Sequence, residues 1–228
     1  MRRRLGSVLA FVAAAALAYA QHAQARSVIH VPADEPTIQA GIDAAIDGDV
    51  VLVAAGTYFE NIDFEGKKIT VRGQSGRTAT VIDGGHAGPV VQMNVTGAAV
   101  LRGFTIRNGS GEGGIVTSGG NALITHNLIT NNTTCDSGGG ISAAFSAAVI
   151  RGNVISDNHQ EGCSGGAGGG GIIVRGAGAV QILDNQISGN SHGSWGGGIS
   201  LFAAGNPVIS GNYIRNNTAG AAAAGSGS

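Results

Sequence analysis

The chain has 228 residues, of which 41 are glycine, 12% are charged and 4% are aromatic. This composition is too apolar for a disordered chain and too rich in glycine for a helical one. The formal charge of -1 and the scattered lysines and arginines indicate no basic stripe, which argues against nucleic acid as a partner.

The first 25 residues have the features of an export signal. Arg2, Arg3 and Arg4 precede an apolar run over residues 8 to 20, and Ala23-Gln24-Ala25 is a cleavage site of A-x-A type. The run is shorter than the roughly 18 residues that a membrane-spanning helix requires. We therefore expect no membrane span, and a bacterial protein that is secreted, periplasmic or on the cell surface after cleavage near Ala25.

Residues 26–49 are predicted to form an N-terminal cap with a short helix. Asp34 or Glu35 is suited to the N-cap, with Pro36 in the first turn. Apolar residues fall on one helical face, and these are Ile38, Ile42, Ala45 and Ile46. This helix is expected to cover one end of the core.

Short strands are predicted to follow the helix. The β-branched segments over residues 50–54, 62–64 and 69–72 favour strands, and Gly56-Thr57-Tyr58 favours a turn.

A nine-residue phrase, I-x-x-N-x-I-x-x-N, then occurs four times. It begins at Ile124, Ile150, Ile182 and Ile209. Its central asparagines are Asn127, Asn153, Asn185 and Asn212, and its last asparagines are Asn132, Asn158, Asn190 and Asn217. A second phrase, G-G-I, precedes each copy and ends at Ile115, Ile141, Ile172 and Ile199.

The spacing of these phrases predicts a solenoid. The step from the G-G-I isoleucine to the central asparagine is 12, 12, 13 and 13 residues, whereas successive central asparagines are 26, 32 and 27 residues apart. Insertions are therefore confined to one edge of each repeat. Short β-branched segments at such a period indicate stacked β-coils, in which each turn buries its apolar face against its neighbours.

Stacking also explains the asparagines. In coils about 4.8 Å apart, an asparagine at a bend lies above its equivalent, and its amide can donate to one neighbour while accepting from the other. Asparagine also tolerates the left-handed backbone that such a bend can require. We therefore predict an asparagine ladder along Asn127, Asn153, Asn185 and Asn212 beside an isoleucine stack.

The chain resembles the right-handed parallel β-helix proteins of the pectate-lyase-like superfamily, which have the pectin-lyase fold. The resemblance rests on the repeats and on VPADEPTIQAGIDAAIDGDVVLVAAGTYFENIDFEGKKITVRG, residues 31 to 73, which is similar to the usual cap and first coils. It implies an all-β solenoid with a short capping helix, forming a single domain over residues 26–218 with about seven or eight coils.

Residues 219–228 are expected to form a disordered Ala/Gly/Ser tail. No apolar segment after Asn217 is suited to cap the last coil, and an uncapped coil exposes a pairing edge. The expectation is a truncation point after Ser228, with an oligomer covering this end as the alternative.

Most of the reactive side chains of the repeats lie in the variable loops over residues 133–138, 159–168 and 191–196. Stacked coils would bring Asp136, His159, Glu161, His192 and Trp195 into one patch, with Glu112 at its border. The resemblance implies a carbohydrate substrate in a lateral groove of this kind. Trp195 would stack on a sugar ring, or it would simply cover a glycine-rich loop.

Catalysis would depend on Asp136 and Glu161 as the acid pair, with His159 or His192 as base. Solvated surface histidines are the alternative for both. The cofactor is left open: calcium is possible, but it would need stacked carboxylates. In the repeat register, Asp184 is flanked by glycines and Asp157 by Asn131 and Gly189.

Arg151 and Arg175 could offer charge to an acidic sugar, or they could be solvated surface residues.

Cys135 and Cys163 lie in loops one coil apart, which favours a disulfide in an exported protein. A metal site of two cysteines and two histidines is the weaker alternative, because the spacing is not typical of one. No metal ligand is therefore assigned.

These observations predict an exported β-helix protein that binds polysaccharide along a loop-lined face. If it is an enzyme, a polysaccharide lyase, glycoside hydrolase or epimerase is expected. The alternative is a non-catalytic surface or adhesion protein, because the G-G-I and I-x-x-N phrases also resemble the repeats of polymorphic outer-membrane proteins.

Overall fold

A computed structural model describes residues 26–135, 137–160 and 168–220. The proposed export signal, Asp136, residues 161–167 and the end of the tail from residue 221 lie outside the described residues. Within them, no helix is long and apolar enough to cross a membrane.

The chain winds into a parallel solenoid whose coils contribute to three long sheets. Sheet A contains β1 (Val28–Val31), β2 (Val50–Val53), β5 (Thr70–Gly73), β8 (Ala98–Arg102), β11 (Asn121–Thr125), β15 (Val149–Arg151), β19 (Gln181–Leu183) and β23 (Val208–Ser210). Sheet B contains β3 (Gly56–Phe59), β6 (Thr80–Asp83), β9 (Thr105–Arg107), β12 (Leu128–Thr130), β16 (Val154–Ser156), β20 (Gln186–Ser188) and β24 (Tyr213–Arg215). Sheet C contains β4 (Ile62–Asp63), β7 (Val91–Asn94), β10 (Ile115–Ser118), β14 (Ile141–Ala144), β18 (Ile172–Arg175) and β22 (Ile199–Phe202).

A fourth, short sheet runs through the variable loops. Sheet D contains β13 (Thr133–Thr134), β17 (His159–Gln160), β21 (Ser191–His192) and β25 (Thr218–Ala219). The all-β parallel solenoid confirms the predicted fold class.

The core follows from the period of two along each strand, because alternate side chains point inward. Equivalent isoleucines are direct strand partners, as in the file Ile124, Ile150, Ile182 and Ile209. The G-G-I isoleucines form a second file, Ile115, Ile141, Ile172 and Ile199. The predicted isoleucine stack is therefore confirmed, and the structure adds a second one.

The capping helix α1 (Ile38–Ala44) is present, but its N-terminus differs from the prediction. Thr37 is the N-cap, and its hydroxyl accepts from the Ala40 amide at 3.1 Å. The carboxylate of Glu60 accepts from the amides of Ile38 and Gln39 at 3.0 and 2.9 Å, which satisfies two free amides of the first turn. Asp34, Glu35 and Pro36 therefore precede the helix and do not cap it.

The apolar face of α1 covers the first coil. Ile38, Ile42 and Ala45 are buried in the core, whereas Ile46 is exposed. Gly41 lies over β2, where an added Cβ would be 2.9 Å from Val51. The predicted turn Gly56-Thr57-Tyr58 is wrong, because these residues form part of β3 and pair with β6.

The central asparagine ladder is confirmed. The side-chain Nδ2 of Asn127, Asn153 and Asn185 donates to Oδ1 of the next asparagine in the file at 3.3, 3.1 and 2.9 Å. The last asparagines form a second ladder, Asn132, Asn158, Asn190 and Asn217, in which each such distance is 2.9 Å.

The left-handed backbone lies one residue before each ladder position. Positive φ angles occur at His126 (57°), Gly152 (64°), Asp184 (54°) and Gly211 (67°), and at Asn131 (53°), Asp157 (56°), Gly189 (68°) and Asn216 (50°). The ladder asparagines do not have positive φ angles. The need for a left-handed backbone therefore explains which residues precede the ladder positions, and side-chain hydrogen bonding explains the asparagines at the ladder positions.

The coil formed by β22, β23 and β24 is less well covered than the coils before it. Leu201, Ile209 and Ile214 occupy core-facing positions but are 46%, 41% and 48% exposed. Their partners in the preceding coil, Val174, Ile182 and Ile187, are fully buried.

Candidate functional site

The variable loops are layered on one another in the same way as the long strands. Within sheet D, His159 is the strand partner of Thr133 on one side and of Ser191 on the other. The Gln160 side chain ties three coils together, because its Nε2 donates to the Cys135 carbonyl at 3.0 Å and its Oε1 accepts from the Gly193 amide at 2.8 Å. The described loops are thus built into the solenoid.

The ends of these loops fold over the outer face of sheet C. Ser142, Ile173 and Ser200 lie between core-facing residues on β14, β18 and β22, and so point outward, yet all three are buried. The nearby glycines Gly138, Gly169 and Gly196 lie so close to these strands that a Cβ would overlap the carbonyl oxygen of Ile141, Ile172 or Ile199. Glycine is required here by close backbone approach.

The two loop histidines have different environments. His159 is exposed on β17. His192 is buried, and its Nδ1 accepts from the amides of Ser194 and Trp195 at 3.2 and 3.1 Å. Because successive strand residues point to opposite faces, sheet D separates these side chains. His192 holds the loop that carries Trp195.

Trp195 belongs to an exposed aromatic group. Its ring makes an edge-to-face contact with Phe202, with centroids 6.0 Å apart and planes at 89°. The two residues are 43% and 47% exposed. Phe202 ends β22, and its strand partner on β18 is Arg175.

Phe145 lies on the same side of the solenoid, directly after β14. It is 71% exposed, and its ring lies over Gly176, where a Cβ would overlap it. Arg175 pairs with Ala144, next to Phe145, and with Phe202. We call Phe145, Arg175, Trp195 and Phe202 the aromatic face.

Sequence reasoning missed Phe145 and Phe202. The available signal was their position in the repeat register. Phe202 shares a file with Arg175, and Phe145 shares one with Gly176, because the Phe145 amide donates a hydrogen bond to the Arg175 carbonyl at 2.9 Å. A phenylalanine at an outward position of a coil has no core role.

Several predicted site residues are not part of this group. Asp136, Glu161 and Cys163 lie outside the described residues. Glu112 is exposed and forms an antiparallel bridge with Thr134 at the loop edge.

Arg151 lies on a different sheet from Trp195 and Arg175. It ends β15 of sheet A, and its guanidinium contacts Asp184 at 3.1 Å. The structure therefore does not bring the two predicted arginines together. Among the described residues there is no group of three or more His, Cys, Asp or Glu side chains suited to a metal ion.

Comparison with known proteins bears on the fold. A family model described as "Right handed beta helix region" matches residues 89–228. No curated protein and no solved structure matches the chain.

Proposed function

The chain belongs to the right-handed beta helix family, and from that premise we propose that it binds polysaccharide on the aromatic face. The observation that carries the proposal is the pair Trp195 and Phe202, two large aromatic rings that remain almost half exposed although each contacts the other. Sugar rings have apolar faces that stack on such side chains. Isolated exposed aromatic residues would need no explanation, but a contiguous group on one face of a rigid scaffold does.

The arrangement of the aromatic face suits an extended ligand. Phe145 and Phe202 follow or end strands on different coils, and Arg175 lies on the coil between them. A chain of sugar units lying along the solenoid axis would meet an aromatic ring, a cation and a second aromatic group in turn. Arg175 favours an acidic sugar, because guanidinium groups bind carboxylates with two parallel hydrogen bonds.

We propose binding as the primary activity and leave cleavage to experiment. The acid pair expected for catalysis was Asp136 and Glu161, with His159 or His192 as base. Of these groups, His192 accepts hydrogen bonds from two backbone amides at Nδ1. Its replacement is therefore expected to disturb the position of Trp195 as well as any proton transfer.

The test compares Trp195→Ala and Phe202→Ala with Phe59→Ala. Phe59 is 78% exposed on β3 of sheet B and provides a matched loss of a surface aromatic ring. Binding to a panel of uronans and neutral glycans is measured by calorimetry. Both aromatic-face variants should lose about tenfold in affinity for the bound glycan, and Phe59→Ala should bind as the wild type.

The proposal fails if Trp195→Ala and Phe202→Ala bind every glycan as the wild type does. The same panel is examined for unsaturated products and new reducing ends. Products would add catalysis to binding. Affinity without products would identify a binding protein, and neither affinity nor products would favour the adhesion or scaffold alternative.

The proposal also includes export and a disulfide between Cys135 and Cys163. No cysteine among the described residues is free. The Cys135 amide donates to the Gly111 carbonyl, and the Cys135 carbonyl accepts from Gln160 Nε2, each at 3.0 Å. Digestion of the secreted protein without reductant should yield one peptide pair joined through these cysteines. The N-terminal residue of the secreted protein should be Arg26.

A further inference from the structure

The outer face of sheet A carries a second surface of interest, which contains a cavity. A cavity of about 420 Å³ is lined by three arginines and a histidine, Arg72, Arg77, Arg102 and His126. Glycines at residues 73, 76, 103 and 152 form much of the remaining wall. These four residues are dispersed along the sequence, yet the winding of the chain gathers their side chains in one place.

The strand register accounts for the closest pair of charges. Arg72 on β5 and Arg102 on β8 are direct strand partners, so their Cβ atoms lie about 5 Å apart on the same face. Like charges directly opposite each other destabilise a sheet.

A second cavity of about 650 Å³ shares Arg72 and Arg102 with the first. It extends to Arg26 and His30, and its wall includes the side chains of Val50, Leu52 and Val100. Val50 and Leu52 face outward but are only 9% exposed. The two cavities form one groove along the solenoid axis, and we call it the arginine groove.

The arginines of this groove lack acidic partners among the described residues, and no carboxylate lines either cavity. Several other cations are paired, as in Arg107 with Asp83 at 2.9 Å and Arg151 with Asp184 at 3.1 Å. Arg151 is on the same sheet face, two strands beyond Arg102. Unpaired arginines are therefore not a general feature of this sheet face.

Part of the groove is held in position by hydrogen bonds. The Arg77 backbone carbonyl accepts a hydrogen bond from the Thr105 hydroxyl at 2.6 Å. The guanidinium Nη1 of Arg77 donates to the Asn127 carbonyl at 3.3 Å. The His126 ring nitrogen Nδ1 lies 2.6 Å from the Thr125 hydroxyl. Gly152 has no side chain to cover this ring, and a Cβ there would be 3.6 Å from it.

We propose that the arginine groove binds an oxyanion, a phosphate or sulfate group carried by a small molecule or a glycan. Arginine is suited to this ligand, because its planar guanidinium presents several donors to oxygen atoms at once. Such a group would supply the negative counter-charge that Arg72, Arg77 and Arg102 do not find among the described side chains. The apolar wall by Val50 and Leu52 would receive an uncharged part of the same ligand.

The test uses the intact protein at low ionic strength with inorganic phosphate, inorganic sulfate and a sulfated oligosaccharide, each titrated by calorimetry. The wild type should bind at least one of them, and its thermal midpoint should rise with ligand concentration. The double variant Arg72→Gln/Arg102→Gln should lose at least about tenfold in affinity. The control Arg215→Gln, at an exposed arginine that lies over Tyr213 on sheet B, should bind as the wild type.

Two further variants separate a binding role from a folding defect. Arg72→Lys/Arg102→Lys keeps the charges but not the planar fork and should bind with intermediate affinity. Arg102→Gln without ligand should have a higher thermal midpoint than the wild type, because it removes the repulsion between strand partners. A merely structural role for Arg102 would lower it.

The source of the oxyanion follows from the ligand comparison. Tighter binding of the sulfated oligosaccharide than of inorganic sulfate would support a glycan ligand, and equal binding would support a small free anion. The proposal is overturned if none of the three ligands binds, or if the Gln double variant binds as tightly as Arg215→Gln. Trp195→Ala should leave anion binding unchanged, so this result is independent of the aromatic face.

Discussion

At the scale of single residues, the ladder asparagines use nearly all their hydrogen-bonding capacity inside the protein. The Asn158 Oδ1 accepts from the backbone and side-chain nitrogens of Asn132 at 3.1 and 2.9 Å. Its Nδ2 donates to the Ile129 carbonyl at 3.0 Å and to Asn190 Oδ1 at 2.9 Å. One buried side chain therefore satisfies polar groups on both neighbouring coils.

Asn158→Ala should lower the free energy of unfolding by about 3 kcal/mol or more, because it leaves several buried donors and acceptors without partners. Urea unfolding measures the loss. The control is Asn121→Ala, since Asn121 is exposed at the start of β11 and should change stability by less than about 0.5 kcal/mol. Equal effects of the two changes would contradict the ladder as a source of stability.

Asp83 is the buried carboxylate that links β6 to the next coil. Burial raises its pKa, but hydrogen bonds from the Asn108 side chain, the Gly85 amide and Arg107 together outweigh burial and hold that pKa below its ordinary value of 3.8. A carboxyl whose pKa is depressed on folding stabilises the protein above its unfolded pKa. This contribution is lost as the pH falls through the folded value.

Asp83→Asn should therefore be less stable than the wild type by about 1 to 2 kcal/mol at neutral pH. The difference should shrink as the pH falls below about 4. Thermal or urea unfolding across this pH range measures it. Asp184→Asn, at an exposed pair, should show a much smaller difference, and a pH-independent defect in Asp83→Asn would contradict the assignment.

At the scale of elements, the loop ends are built for contact between backbones. Gly111 and Gly113 lie in the same loop and both have positive φ, 71° and 93°. A Cβ at Gly111 would meet nothing within 4 Å, whereas one at Gly113 would overlap the Gly138 carbonyl oxygen on the next coil. Substitutions at the two glycines therefore distinguish the cost of backbone strain alone from the added cost of a steric overlap.

Gly111→Ala should lower the free energy of unfolding by roughly 1 kcal/mol, the cost of a left-handed alanine. Gly113→Ala should lower it by about 3 kcal/mol or more, because overlap with a backbone oxygen adds to that cost. Urea unfolding compares the two. If both variants lose the same stability, the stacking of loop backbones does not contribute.

At the scale of the whole molecule, stability is a sum over neighbouring coils. β16 pairs with β12 on one side and β20 on the other, whereas β24 has one partner, β20, among the described strands. Amide hydrogen exchange measured by mass spectrometry should therefore be slower in Val154–Ser156 than in Tyr213–Arg215. Equal protection would indicate that the solenoid opens as one unit, or that the last described coil is covered.

The repeat register was the part of the fold that could be predicted from the sequence. Ile124, Asn127 and Asn132 recur at matching positions because stacked coils bury one face and form hydrogen bonds at the same two bends in each turn. A constraint repeated in space leaves a repeated pattern in the chain. The bonds from Glu60 to the first turn of α1 and the strand β3 were not predictable in this way, because Glu60 and β6 act from distant parts of the chain. The N-cap Thr37 is a local contact that the sequence also contained.

The sequence by itself determined the solenoid, its two isoleucine files and its asparagine ladders. Only the tertiary structure decided which outward-facing residues meet. Trp195 contacts Phe202 because a loop folds over sheet C, and Arg72 meets Arg102 because β5 and β8 of adjacent coils pair in that register. Outward positions carry no burial constraint that would repeat, so winding alone places the aromatic face and the arginine groove.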